Sequence, residues 1–313
     1  MSAKSPSNPS SSRRREPSRA RRRSKPAEAG PLAPGLYLVA TPIGNLADIS
    51  LRALDVLARA DLIACEDTRT SRKLLGAHGI QGALTAYHEH NAARVRPRLM
   101  ERLKCGAAVA LVSDAGTPLV SDPGYKLVEA AIAEGVAVTA IPGASAGLTA
   151  LSVSGLPTDR FFFAGFLPAK AGARRRVLAE LAPLGASLVF YESARRLPAA
   201  LAQMAEVLGP RPAAVARELT KLHEEVRRGA LPELAEHYRT AGPPKGEVVV
   251  VVGPPQEGPS PLAAEDLDAR LRAALAGTSL RDAVAAVAAA SGLPRKRVYA
   301  RALELAGESD HDR

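Results

Sequence analysis

The chain has 313 residues, with 42 Lys and Arg against 32 Asp and Glu, for a net charge of +10. Its two cysteines, Cys65 and Cys105, exclude a multi-disulfide scaffold and a four-cysteine zinc site, and no run of about 18 apolar residues supplies a membrane-spanning helix. At roughly 150 residues per domain, the length points to two domains, each able to bury a core.

The charge is unevenly placed. Residues 1–34 hold nine cationic side chains and only Glu16 and Glu28 as acids, so seven of the ten net charges sit there. Between Met1 and Leu32 the segment has no large apolar residue, so it is expected to be a disordered basic tail. It lacks the apolar stretch of a secretory signal and the apolar residues of an amphipathic transit helix. A plain solvated tail and an arm that touches RNA both fit its composition.

From Leu36 short apolar runs alternate with helical patterns, the signature of βαβ units in a parallel sheet. Strands are expected at 36–40, 60–64, 107–112 and 136–141, then at 161–165, 187–191, 213–216 and 247–252. Helices are expected at 51–58, 92–104, 123–134, 194–207 and 231–239. Asp122-Pro123 reads as the N-cap and first residue of the 123–134 helix. The turn-rich 154–160 separates the two strand series, which predicts α/β domains at 35–155 and 156–253. Phe161-Phe162-Phe163 reads as core strand. A linker follows at 254–261, then a small Ala-rich helical unit at 262–307. There Ser279 and Asp282 make a capping pattern, Gly292 stops one helix and Pro294 starts the next at Arg295, which suggests a helix-turn-helix-like element.

The common signatures are absent: no G-x-G-x-x-G, no phosphate-binding G-x-x-x-x-G-K-[ST], no H-E-x-x-H. Gly143-Ala144-Ser145-Ala146-Gly147 matches a nucleophile elbow, with acids and His223 downstream, but small-residue runs arise easily in an Ala- and Gly-rich chain. His88-Glu89-His90 offers two metal ligands without a third nearby, so no metal site is assigned. Position is more informative. Each strand of the first series ends in a polar turn: Thr41 to Leu46, Glu66 to Arg69, Ser113 to Pro118 with Ser121 to Gly124, and Pro142 to Ser145. The second series ends similarly, at Tyr191 to Arg196 and Arg217 to Lys221. Ligands of α/β sheets bind beyond the carboxyl ends of strands, so these clusters predict a small-molecule pocket carrying carboxylates and arginines.

In this order, ATPIGNLADIS, EDTRTSRKLL, LVSDAGTPLVSDPG, IPGASA, GLPTDRFFFAGFLPAK, FYESARR and ARELTK resemble the ribosomal small subunit methyltransferase I family of the tetrapyrrole-methylase superfamily. The likeness runs from about Leu36 to Gly253, and 279–305 resembles the family's C-terminal helical piece. It implies a class III S-adenosylmethionine methyltransferase fold: two α/β domains with the cofactor in the cleft between them, plus a small C-terminal helical unit. It implies cytoplasmic 2′-O-methylation of cytidine 1402 in 16S rRNA of the 30S subunit by a homodimer. Carried over by motif, Pro42, Asp114, Gly116, Thr117, Pro118, Ser145, Tyr191, Glu192, Ala216, Arg217, Gly246 and Glu247 would hold the cofactor. A ribose hydroxyl needs a base or a proton path, and Glu66, Asp67, His88 and Glu192 are candidates, with Glu66, Asp67 and Arg69 as a catalytic edge. Arg174, Arg175, Arg195, Arg196, Arg295 and Lys296 are candidates for RNA phosphates, with Arg297 and Arg301 beside the last two. Two other readings stay open: a tetrapyrrole carbon methylase on the same fold, and a non-catalytic RNA-binding assembly factor.

Overall fold

Five apolar runs of the N-terminal half assemble into one all-parallel sheet, because each is followed by a helix long enough to return the chain to the same edge. The computed structural model describes residues 30–255, 261–291, 293 and 295–311. The tail up to residue 29, linker residues 256–260, Gly292 and Pro294 lie outside the described residues. Gly30 to Pro34, expected to belong to the tail, are held in place. Leu32 packs on the core, Arg59 donates to the Gly30 carbonyl at 2.5 Å, and the Tyr37 hydroxyl donates to Ala33 O at 2.8 Å.

The first unit contains β1 (Gly35–Val39), α1 (Leu51–Arg59), β2 (Leu62–Cys65), α2 (Thr68–Ala77), β3 (Leu84–Ala86), α3 (Ala92–Lys104), β4 (Ala108–Val112), α4 (Tyr125–Ala133) and β5 (Val138–Ile141). The strand order is β3-β2-β4-β1-β5. Central β4 is buried along its whole length, and its residues alternate between two cores. Val109 and Leu111 face Leu99, Leu103 and Leu127 of α3 and α4. Ala110 and Val112 face Val56, Leu57 and Leu75 of α1 and α2. The chain leaves β1 toward β2 but leaves β4 toward β5, so the neighbouring β1 and β4 form a topological switch point. Edge strand β3 is three residues long and was not legible in the sequence.

The second unit begins with α5 (Ala146–Ser154) and continues through β6 (Phe161–Phe166), α6 (Ala171–Leu181), β7 (Ser187–Ser193), α7 (Leu197–Leu208), β8 (Pro212–Arg217), β9 (Glu225–Ala230), α8 (Leu231–Ala241) and β10 (Glu247–Val252). Its sheet, β6-β7-β10-β8-β9, is mixed, not parallel as the strand-helix alternation predicts. Only β6 and β7 pair in parallel; β10 runs antiparallel to both β7 and β8, and β9 antiparallel to β8. The unit boundary falls at Gly143/Ala144, earlier than the expected 155/156. The reason is packing: Ala150 and Leu151 of α5 sit against Val189, Ala216, Val249 and Val251 of the second sheet. Residues 42–48 also belong to this unit, with Ile43 buried in that same cluster. Phe161 and Phe162 are exposed on edge strand β6 at 45% and 44%, so they are not the core strand residues expected.

Three further helices, α9 (Pro261–Leu275), α10 (Leu280–Ser291) and α11 (Arg295–His311), share a core of Leu267, Leu271, Val284, Val287, Val298, Ala302 and Leu305. The Asp282 amide donates to the Ser279 hydroxyl at 3.3 Å, the expected cap. Arg301 forks onto Asp268 at 2.6 and 2.8 Å and reaches Glu304 at 2.6 Å, so it staples α11 to α9 and is not a free phosphate contact. Arg295 and Lys296 are exposed. Accordingly, Arg301→Ala should lower the melting temperature. Arg295→Ala with Lys296→Ala, at exposed positions unpaired among the described residues, should leave melting unchanged. Calorimetric melts check both expectations.

Candidate functional site

At the carboxyl edge of the first sheet, the loops after β1 and β4 are stitched together. Thr41 and Gly116 exchange backbone hydrogen bonds of 2.9 and 3.0 Å, and the Thr41 hydroxyl donates to Ser113 O at 3.2 Å. Gly116 needs its glycine, with φ at 79°. Two non-glycine residues of the same loop, Leu119 and Ser121, also have positive φ, at 74° and 64°. Such strain persists only where surrounding structure enforces it, and it collects at functional sites.

Four carboxyl groups gather along this edge: Glu66, Asp67, Asp114 and Asp122. Asp67 has a local task. It caps α2 by accepting Arg69 N at 2.7 Å and it holds the Arg69 guanidinium at 2.7 to 3.1 Å. Those hydrogen bonds lower its pKa to about 2, which makes it a poor base. The Asp67 amide in turn donates to Asp114 Oδ1 at 3.1 Å, which fixes that exposed carboxylate in place. Glu66, Asp114 and Asp122 have no lysine or arginine partner among the described residues. Burial raises the Glu66 pKa, and repulsion from Asp114 adds to it. Burial pushes Asp122 up to about 6, with Glu66 and Asp114 adding, against a lowering hydrogen bond from Ser113. Asp122-Pro123 predicts a helix cap at Asp122, but the cap is Gly124, at φ 138°, and α4 starts at Tyr125. Nearby His88, in the loop after β3, has a buried Nδ1 with no hydrogen-bond partner.

The second sheet builds its own edge, and the antiparallel β10 is what completes it. Because β10 runs opposite to β7 and β8, its first residues lie beside their last ones. Val248 pairs with both Glu192 and Arg217, Val249 with Tyr191 and Ala216, and Glu247 with Ser193. Tyr191, Glu192, Ala216, Arg217, Gly246 and Glu247 thus come together from three strands. The Tyr191 hydroxyl accepts Gly147 N at 3.2 Å, and its ring meets Phe163 and Phe166 edge-on at 4.9 and 5.6 Å. Glu192 is fully buried at its side chain. Its Oε1 takes Arg196 at 2.6 and 2.8 Å and Ser193 N at 2.7 Å, while its Oε2 is left without a partner. Arg217 donates to Glu225 at 3.0 Å and to Lys245 O at 3.3 Å. Lys221 bridges Glu218 and Glu247 at 2.9 and 3.0 Å. Gly246, at φ 92°, has no room for a Cβ against the Glu218 carboxylate. Glu218 and Thr220 have positive φ, 51° and 66°, and the Asn45 amide donates to Thr220 Oγ1 at 3.1 Å.

Other expected residues resolve differently. Ser145 is the N-cap of α5, and no hydrogen bond joins it to exposed His223, so the nucleophile-elbow arrangement does not assemble. No group of three or more metal-ligating side chains occurs among the described residues. Arg174 is 94% buried, with its Nε on Gln203; Arg175 is paired with Glu206 at 2.7 Å; Arg196 is committed to Glu192. Of that second-unit group Arg195 stays exposed and unpaired.

Residues 35–235 match the family model of tetrapyrrole (corrin/porphyrin) methylases, and 261–306 match that of the RsmI C-terminal HTH domain. A ribosomal RNA small subunit methyltransferase I from Mesorhizobium japonicum is 54% identical over 286 residues, covering 90% of this chain and 97% of that protein. The chain belongs to the ribosomal RNA small subunit methyltransferase I family. A Pseudomonas aeruginosa family member is 46% identical, over 88% of this chain and 98% of its own. The family's fold is shared with a solved diphthine synthase (TM-score 0.52, 19% identity, 70% of this chain and 89% of that one). It is shared as well with a uroporphyrin-III C-methyltransferase from Thermus thermophilus (TM-score 0.51, 24% identity, 70% and 93%). These likenesses establish the class III methyltransferase fold of the family's two α/β units.

Proposed function

We propose that the chain transfers a methyl group from S-adenosylmethionine to 16S rRNA of the small ribosomal subunit, on the ribose 2′-oxygen of cytidine 1402. The observation that carries this reading is 54% identity over nearly the full length of an rRNA small subunit methyltransferase I, joined to a methylase domain and the family's C-terminal helical domain. The donor set suits the cofactor. S-adenosylmethionine brings a sulfonium and an ammonium, and Glu66 and Asp114 form an acidic edge without a lysine or arginine ion pair among the described residues. On the second unit, the orphaned Glu192 Oε2 awaits a donor.

Pro42, Asp114, Gly116, Thr117, Pro118, Ser145, Tyr191, Glu192, Ala216, Arg217, Gly246 and Glu247 are the residues assigned to holding the cofactor. Bound there, it supplies the electrophilic methyl group. The protein's part is to align the acceptor oxygen with that methyl group, exclude water and receive a proton. Asp122 is the group suited to receive it. Its carboxylate is ionised at neutral pH, yet it is a stronger base than an ordinary aspartate. Glu66 adds to the raising of the Asp122 pKa, His88 lies close enough to Glu66 to act on its charge, and Asp67 and Arg69 shape the loop. The exposed Phe161, Phe162 and Phe166 on edge strand β6 support a homodimer. No helix among the described residues is long and apolar enough to cross a membrane. A ribosomal substrate supports a cytoplasmic location.

Labelled methyl transfer onto 30S subunits, free 16S rRNA and a tetrapyrrole precursor tests the reading. Label on the ribosomal substrate alone is expected. Label on the tetrapyrrole would favour the carbon methylase, and cofactor binding without transfer to any acceptor would favour an assembly factor.

A further inference from the structure

We infer that the Arg94, Arg98 and Arg102 face of α3, with the groove it lines, binds backbone phosphates of the RNA substrate. The inference rests on the rRNA-methylation reading and adds a grip to it. The three arginines recur every four residues, which places them on one helix face about 6 Å apart. All three are exposed, and none has a carboxylate partner among the described residues. That contrasts with Lys104 on the same helix, paired with Glu134 at 2.9 Å, and with Arg59, Arg175, Arg239 and Arg301, each paired with an acid. Three like charges in i, i+4 succession repel one another, a small cost that a bound polyanion removes.

The stripe also has a surface in front of it. Arg94, Arg98 and Arg102 line a groove of about 440 Å³ whose floor includes Leu62, Leu84 and Thr85. Strand β3 forms the edge of the sheet there. A row of guanidinium groups beside an apolar floor with a hydroxyl suits a sugar-phosphate backbone, with phosphates on the arginines and ribose against the leucines. The groove adjoins the chemistry as well. α3 begins directly after the His88–Asn91 turn, at the carboxyl edge of the first sheet, so the stripe runs away from the acidic cluster. RNA held along it would lead toward that edge. Arg174 and Arg175, expected from sequence to contact phosphates, cannot serve equally, since both are already engaged.

The test is the salt dependence of binding to 16S rRNA, measured for the wild type and for a triple Arg94→Gln, Arg98→Gln, Arg102→Gln variant. Each lost phosphate contact reduces the slope of log affinity against log salt by roughly 0.7–0.9, so the triple variant should lose about 2–3 units of slope. Between about 50 and 200 mM salt the wild type should therefore weaken roughly 20- to 40-fold more than the variant. Single Arg98→Gln should lose about one unit, which keeps the test available if the triple variant folds poorly. Cofactor affinity should stay at the wild-type level in both, and the triple Arg→Lys variant should keep the slope. An unchanged slope in folded Gln variants would overturn the inference, as would an equal loss in an Arg175→Gln control. Binding is read without turnover. A wild type that methylates 30S subunits while the Gln slope is unchanged therefore sinks the groove alone. A wild type that fails to methylate any ribosomal substrate sinks the underlying reading.

Discussion

Replacing Asp122 with Asn should lower kcat by roughly 10²- to 10⁴-fold, the usual range for loss of a positioned base, while cofactor affinity changes by no more than a few-fold. The pH profile gives a sharper check. With Asp122 ionising near pH 6, wild-type kcat/KM should rise with pH through about 6 and level off above 7. The variant should lose that rising limb. Stability should move the opposite way. A carboxyl group whose pKa is raised in the fold binds its proton more tightly when folded. Its penalty is absent at low pH, grows as pH rises through the ordinary carboxylate range and is complete above about 6. Removing the charge should therefore stabilise the protein at pH 7–8, by about 1 kcal/mol after allowing for the half-exposed setting, and change little near pH 4. A variant that is stabler and inactive indicates a site residue; one that is less stable and fully active would remove Asp122 from the mechanism.

Asp122 also shows where sequence reading stops. Asp-Pro ahead of an apolar stretch is a good local helix start, and nothing local contradicts it. The fold overrides it because Gly124, whose added Cβ would press on Leu119 and Leu111, takes φ 138° and delays the helix to Tyr125. The freed carboxylate then turns toward Ser113, Glu66 and Asp114, neighbours 8 to 56 residues away in the chain. The one sequence signal was the doubled Ser-Asp in LVSDAGTPLVSDPG. Most strands were legible because they are continuous apolar runs. Strand β9, Glu-Val-Arg-Arg-Gly-Ala, was not, since edge strands need no apolar alternation. The mixed order of the second sheet was hidden too, because strand-helix alternation does not record direction. That order matters to the site, as only an antiparallel β10 brings Gly246 and Glu247 beside Glu192 and Arg217.

Removing the Arg196 side chain's charge should be the most destabilising change at the second edge. Arg196→Met leaves the fully buried Glu192 carboxylate without its cation, which costs about 2–4 kcal/mol and should lower the melting temperature by several degrees. The Glu192→Gln, Arg196→Met double variant should recover part of that loss, since the unpaired charge is gone. Cofactor affinity should not recover with it, because Gln presents a different group where Glu192 Oε2 now lacks a partner. Melting curves and cofactor titrations on the wild type and both variants separate the two effects. If Arg196→Met melts with the wild type, the buried ion pair is not holding this edge together.

The central claim is that the acceptor is a ribose oxygen of small-subunit rRNA. The most direct measurement is nucleoside analysis of 16S rRNA after transfer of a labelled methyl group from S-adenosylmethionine by the purified enzyme. Label is expected in 2′-O-methylcytidine, from the fragment that contains cytidine 1402. Label in a base-methylated nucleoside, or no label in the RNA, would contradict it.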